Sequence, residues 1–399
     1  MVMDSSRRSE VQVGDASRLF DGRRLTLARQ LVGLRKNALA AKIDKSPTAV
    51  AAYENNSKRP APATVAQLCL TLGVNPSFFL PGPHQPAGAN TTPHFRSLRS
   101  TTQLARDQAF AYGMIAGDVG AALERHVEFP EPNVPRLSVD VDDEVSSLPE
   151  EAAQLLRKQW EIKAGPVGHL VRLAENNGVV VVFSPTQTAA VDAYSFDDGY
   201  RPTIVLNPAK EDYYRQRFDV AHEIGHLVMH VDAEPGSKVV ENQAHRFAAE
   251  LLLPANEVRD VLPSKADWRV LARLKETYGV SLQALLYRSR SLGVMSDVTY
   301  RNAIAYLSSK GWRRREPGEM PAVEQPSLYP RAVEILSSVG MDELALAKES
   351  RVTTGIFRTV TARNPVREDL FSESQVAETH HDPSEGVISL FRKNDSPGQ

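Results

Sequence analysis

Over the first eighty positions, apolar residues recur at helical spacing in short runs broken by proline, glycine and small polar residues. This predicts five short helices, over 24–32, 37–43, 47–54, 63–72 and 76–80. Ser46 before Pro47 is a strong helix start, because a serine caps free amides and proline is tolerated at the first helical position. Pro60 and Pro62 separate the third helix from the fourth, and Gly73 ends the fourth. Leu39, Ala40, Ile43, Val50, Tyr53 and Leu68 have the spacing of a three-sided helical core. The second and third helices are joined by about three residues, too few for a parallel return, so they must cross sharply.

The pattern then changes. Residues 81–94 are proline, glycine and small polar residues that cannot bury a core, and they predict a linker between domains that move relative to each other. A long helix follows over 103–126, then a proline-interrupted acidic stretch over 128–151. Helices are predicted over 150–160 and 165–177, the second stopped by Gly178. The β-branched run 179–183 reads as a buried strand, and 190–196 and 202–206 as two more around the turn Asp197-Asp198-Gly199. Beyond Pro254 the periodicity is helical, over 268–278, 281–290, 299–309, 331–339 and 341–349, with Leu271, Leu274, Leu282, Leu285 and Leu286 as core. The expected class is α+β and mostly helical. Its parts are a mobile arm (1–20), a five-helix domain (21–80), the linker (81–94), a helical connector (95–149), a small-sheet domain (150–262), a helical C-terminal region (263–366) and a loosely ordered tail (367–399).

Candidate chemistry sits in the run after the third strand. His222-Glu223-Ile224-Gly225-His226 is an H-E-x-x-H pattern in a proline-free helical run, so both histidines lie one turn apart on one face. That spacing lets two imidazoles hold one Zn2+, and Glu223 is placed to accept a proton from the water at the open fourth position. A third ligand has to come from downstream. In 241–254 the stripe Ala244, Phe247, Ala248, Leu251 and Leu252 puts Glu241 at its border and Glu250 on the far, solvated side. Glu241 is therefore the preferred ligand, while His245, one turn on, is left as a ligand, a transition-state donor or an outer partner. His230 continues the four-residue spacing but lies near the helix end, where a histidine can bond free carbonyls.

These two segments resemble the ImmA/IrrE family of zinc metallopeptidases, whose second helix has the form E-x-x-A-N-x-F-A-x-x-L-L-x-P; here it runs from Glu241 to Pro254, with His245 where asparagine is usual. The resemblance implies one zinc ion on His222, His226 and Glu241, with Glu223 as general base. It also implies a protein substrate of the repressor or antitoxin kind. The strands before the zinc helix follow the order of small zincin-like peptidases, which take an extended peptide along a strand edge, here 191–195. Tyr194 on that strand is a candidate donor to the oxyanion. Leu39-Ala40, Ser46, Val50, Tyr53-Glu54 and Pro60 resemble the phage-repressor (XRE) helix-turn-helix family. That likeness implies that 47–55 is the recognition helix. Lys36, Lys45, Lys58 and Arg59 are then candidates for phosphate contacts on duplex DNA, with Thr48 and Asn55 as polar base readers.

Charge and composition change this picture little. Residues 1–60 carry twelve Lys or Arg against six Asp or Glu, although the chain as a whole has net charge −2. No apolar run could span a membrane, no signal peptide is apparent, and Cys69 is the only cysteine, so a cytoplasmic protein is expected with nitrogen and oxygen metal ligands. The sequence thus predicts a DNA-binding regulatory metallopeptidase, dimeric on DNA. Its rivals are a non-proteolytic regulator that uses the zinc domain as a sensor or docking surface, and a helical domain that docks protein rather than DNA.

Overall fold

The computed structural model describes residues 11–84, 94–95, 102–137, 139–140, 146–185, 193–209, 211–230, 237–365 and 391–392. The first unit holds α1 (Val13–Arg18), α2 (Gly22–Leu31), α3 (Lys36–Lys42), α4 (Pro47–Glu54) and α5 (Pro62–Leu72), followed by a 3-10 turn at Pro76–Phe79. Ser46 Oγ accepts from Ala49 N at 3.1 Å, with Pro47 opening α4, and Gly73 closes α5 in the left-handed region. The predicted mobile arm needs correction, since α1 lies inside it. Ala16 is fully buried, and Ser17 Oγ donates to the Pro60 carbonyl at 2.7 Å. A helix of six residues is too short to show a period in sequence.

After β1 (His94–Phe95), α6 (Gln103–Leu123) and β2 (Val127–Glu128) come α7 (Leu148–Gln159) and α8 (Leu170–Asn176). The sheet follows, as β3 (Val180–Phe183), β4 (Ala193–Phe196) and β5 (Thr203–Leu206). The strand order is β1-β4-β5-β3, with β4 antiparallel to β5 and β3 parallel to it. Strand alternation divides these residues between two cores. Val180, Val182, Tyr194, Phe196 and Val205 face one, beneath α6, whereas Val181, Phe183, Ala193, Ile204 and Leu206 face the other. Burial on both faces is why the strands read as continuous apolar runs. Close approach of α6 depends on Gly113, where a Cβ would lie 2.4 Å from the Phe196 ring.

The second core is completed by α9 (Tyr213–Met229), α10 (Lys238–Leu252), α11 (Ala255–Val258), α12 (Trp268–Tyr278), α13 (Leu282–Ser291) and α14 (Asp297–Ser309). The predicted C-terminal region is not one unit. Its last helices, α15 (Leu328–Ser338), α16 (Glu343–Glu349) and α17 (Thr354–Val360), return across the molecule to pack on α6 in the first core. Within the predicted tail, β6 (Phe391–Arg392) pairs with β2; residues 366–390 and 393–399 lie outside the described residues.

The first unit does not hang from a free linker. Residues 85–93 of that linker lie outside the described residues, but α2 packs on α6 and the two share one hydrophobic core. Arg24 and Asp118 form an ion pair, 3 % and 2 % exposed, and Arg24 Nε donates to the Phe78 carbonyl at 2.9 Å. Removing one partner of such a pair leaves a buried uncompensated charge, so the expected independent motion is opposed by both packing and electrostatics. Among the described residues no helix is long and apolar enough to cross a membrane.

Candidate metal centre

Asp212 caps α9, accepting from Arg215 N at 3.1 Å, and the helix carries His222 and His226 into the second core with 0 % and 1 % exposure. Their Nε2 atoms stand 3.0 Å apart. Gly225 between them lets α10 come close, since a Cβ there would lie 2.9 Å from Phe247 Cδ1. Glu241 thereby reaches both rings, with Oε2 3.3 Å from His222 Nε2 and Oε1 3.7 Å from His226 Nε2. A tetrahedral ion with ligand bonds of about 2.0–2.1 Å requires ligand atoms about 3.4 Å apart. The three observed separations fall on either side of that value, so the donors present fit one divalent ion.

The outer partners of the histidines fix which nitrogen faces the cluster. The Asp140 carbonyl can only accept, so Gln243 donates to it through Nε2 at 2.8 Å. Gln243 Oε1 accepts from His230 Nε2 at 2.9 Å, which places the proton of neutral His230 on that nitrogen. His230 Nδ1 then accepts from His226 Nδ1 at 3.1 Å, and the remaining lone pair of His226 is at Nε2, toward His222 and Glu241. His230 is therefore an orienting partner of His226, not a cap on helix carbonyls. Gln243 and Asp140 escape sequence reasoning because they come from separate segments with no spacing between them to read.

Glu223 is fully buried beside the pair. Ser195 Oγ donates to Glu223 Oε2 at 2.8 Å, a contact that only the strand register reveals. The same register corrects Tyr194. Neighbouring residues of a strand face opposite sides, so Tyr194 points away from the metal cluster and donates to the Ala109 carbonyl of α6 at 2.6 Å. Burial pushes its hydroxyl well above the usual tyrosine range, as befits a packed donor and not a group at the reaction centre. The strand edge predicted to receive peptide is also occupied in part. His94 and Phe95 pair antiparallel with Ser195 and Tyr194, while residues 191–192 lie outside the described residues.

His245 Nδ1 donates to the Glu241 carbonyl at 2.7 Å, and its ring meets that of His222 edge-on with centroids 4.6 Å apart. Only His222, His226 and Glu241 form the close cluster among the described residues, which leaves His245 as a neighbour that steadies both. Glu250 is not on a solvated face. It is 1 % exposed, pairs with Arg288 of α13 and accepts from Gln154 of α7 at 3.0 Å, because α10 is enclosed on that side too.

On the first unit, Lys36, Lys45, Thr48, Asn55, Lys58 and Arg59 are all exposed, on α3, on α4 and in the loops that flank α4. Three of them have local engagements, among them Lys45, whose Nζ donates to the Asp44 carbonyl at 3.2 Å. Lys36 Nζ lies 3.1 Å from Glu54, a carboxylate already held by Arg29, and Asn55 Oδ1 accepts from Ser57 N at 2.9 Å. Thr48, Lys58 and Arg59 are exposed on the same unit.

An H-E-x-x-H helix laid against a small sheet, with a glutamate delivered by the next helix, defines a zincin-like, peptidase-like class of domain. Residues 174–290 match the family model of the IrrE N-terminal-like domain, Peptidase M78, and residues 25–79 match that of the helix-turn-helix. Together the two matches agree with the ImmA/IrrE architecture that the sequence suggests, a helix-turn-helix domain followed by a peptidase-like M78 domain. No curated protein matches it.

Proposed function

We propose that this protein is a DNA-binding regulatory zinc metallo-endopeptidase that cuts a partner protein of the repressor or antitoxin kind. It would hold one Zn2+ per chain, act on DNA as a homodimer, and work in the cytoplasm. The observation that carries the reading is the convergence of His222, His226 and Glu241 on one point, with Glu223 and its serine partner alongside. When bound, zinc supplies Lewis-acid polarisation of water and of the peptide carbonyl. Glu223 takes up a proton and returns it to the leaving amine; with Oε2 held by Ser195, that transfer falls to Oε1. His230 and Gln243 keep the His226 lone pair on the metal side. The homodimer follows from the few base pairs that a single helix-turn-helix module can read.

Glu223→Gln is expected to cut cleavage of the partner by about 10²–10⁴-fold while zinc content and salt-dependent DNA affinity persist. A Glu223→Gln protein with its full biological effect would instead favour a regulator that does not cleave. His230→Ala is expected to weaken zinc binding about 10–100-fold, measured by competition with a chromophoric chelator, because His226 then loses the group that orients it. Unchanged affinity would remove the relay from the argument.

A further inference from the structure

A cleft of about 550 Å³ opens beside the metal cluster. One wall is made by Phe218, one turn before His222 on α9, and by His245, whose ring lies against His222. The opposite wall is supplied by α13, α14 and the turn after α14, through Tyr287, Tyr300, Leu307 and Trp312. Phe218, Tyr287, Tyr300 and Trp312 are each half-buried; Phe218, Tyr300 and Trp312 pack against the second core on one side and line the cleft on the other. Several charges at the cleft are already engaged within the protein. Arg215 lies 3.2 Å from Asp212 and donates to the Arg313 carbonyl, and Glu316 accepts from Leu282 N at 2.9 Å and sits 3.1 Å from Lys275. The lining is mixed, with Asp219, Asn242, Ser281 and Gln283 beside the rings, and its apolar part is supplied mainly by the aromatic side chains.

Building on the metallopeptidase reading above, we infer that this cleft is the subsite for a substrate side chain next to the scissile bond, and that it selects a bulky apolar residue, aromatic before aliphatic. The occupant follows from position and lining together. A peptide whose carbonyl reaches the cluster must lay its adjoining side chains against His245 and Phe218, and rings of this kind gain most from a flat apolar partner at edge-on or offset geometry. The helices after Pro254 thus supply specificity to a centre whose metal donors all precede them in the chain.

The test uses full-length protein loaded with zinc, its metal content measured beforehand, and titrated calorimetrically with hydroxamates carrying a methyl, an isobutyl or a benzyl group. The benzyl compound is expected to bind at least about tenfold more tightly than the methyl one, with isobutyl between them. Ala284→Phe, which fills the cleft from its own wall, and Trp312→Ala, which removes a lining ring, are each expected to abolish that preference while methyl hydroxamate affinity stays within about twofold. Ala284→Phe adds bulk at a half-buried position, so it does not depend on the Trp312 packing surviving. Equal affinities for the three compounds, or a preference that persists in Ala284→Phe, would overturn the inference and leave the metal reading intact. Failure of every hydroxamate to bind zinc-loaded protein would overturn the metal reading, and the subsite with it.

Discussion

Protein carrying Glu241→Ala is expected to be isolated without stoichiometric zinc, whereas His245→Ala retains it. Glu241 provides the only carboxylate in the close cluster, at 3.3 and 3.7 Å from the two imidazole nitrogens. Without it two neutral nitrogens remain as donors, and the ligand set has lost the one carboxylate that would balance the charge of a divalent ion. The loss should therefore exceed the roughly 10–100-fold cost of removing an outer partner. His245 touches the site differently, through the Glu241 backbone and the His222 ring face, so its removal loosens the surroundings without taking a donor from the cluster. Metal analysis after gel filtration reads both variants. Zinc that survives Glu241→Ala but leaves with His245→Ala would show that the carboxylate is not the third ligand.

What the sequence made legible at this site follows from the range of each signal. His222, Glu223, His226 and Glu241 stand on two amphipathic helices, where a period of 3.6 residues reports which side chains share a face. Ser195 depends on how β4 lies over α9, and periodicity along one segment says nothing about pairing between segments. The same limit applies to Tyr194: the sequence shows the strand, but not which of its two faces meets the metal helix. Glu250 was misplaced because its distance from the apolar stripe implies solvent only if nothing covers that side. Here α7 and α13 do, and Arg288 supplies the charge that makes burial of the carboxylate tolerable.

The fold divides similarly. Capping chemistry at Ser46 and Gly73 placed the helices of the first unit, and the Asp197-Asp198-Gly199 turn placed the hairpin. Docking of that unit on α6 was hidden because Arg24 and Asp118 read individually as solvated charges and become a buried pair only when α2 meets α6. Asp118 Oδ1 accepts from His84 N at 3.3 Å, and His84 Nε2 lies 2.7 Å from Asp198 in the β4–β5 turn. The helix-turn-helix is thereby joined through buried polar contacts to the turn of the hairpin whose β4 strand bears Ser195.

Arg217→Ala is expected to destabilise the metal domain by about 3–5 kcal/mol, seen as a fall of roughly 6–20 °C in its unfolding midpoint. Arg217 lies on α9 five residues before His222 and is 1 % exposed. Its guanidinium pairs with Glu324 and donates to the carbonyls of Gly168 at 2.6 Å, Val167 at 2.8 Å and Gly279 at 3.1 Å. One side chain therefore ties the metal helix to the segment before α8, to the α12–α13 turn and to the segment before α15. Gly279 has φ 63°, and a Cβ there would lie 2.7 Å from Arg217 Nε, so the turn is shaped around the guanidinium. Alanine would leave Glu324 buried without its cation and three carbonyls without their donor. Because Glu324 Oε2 also accepts from Val171 N at 2.7 Å, Glu324→Gln can keep an acceptor there while removing the charge. The double variant Arg217→Met, Glu324→Gln should accordingly be more stable than Arg217→Met alone, which a purely steric role for Arg217 would not allow. A single variant that melts within about one degree of the unmodified protein would mean that the clamp is redundant, and that α9 is held in register by its apolar contacts alone.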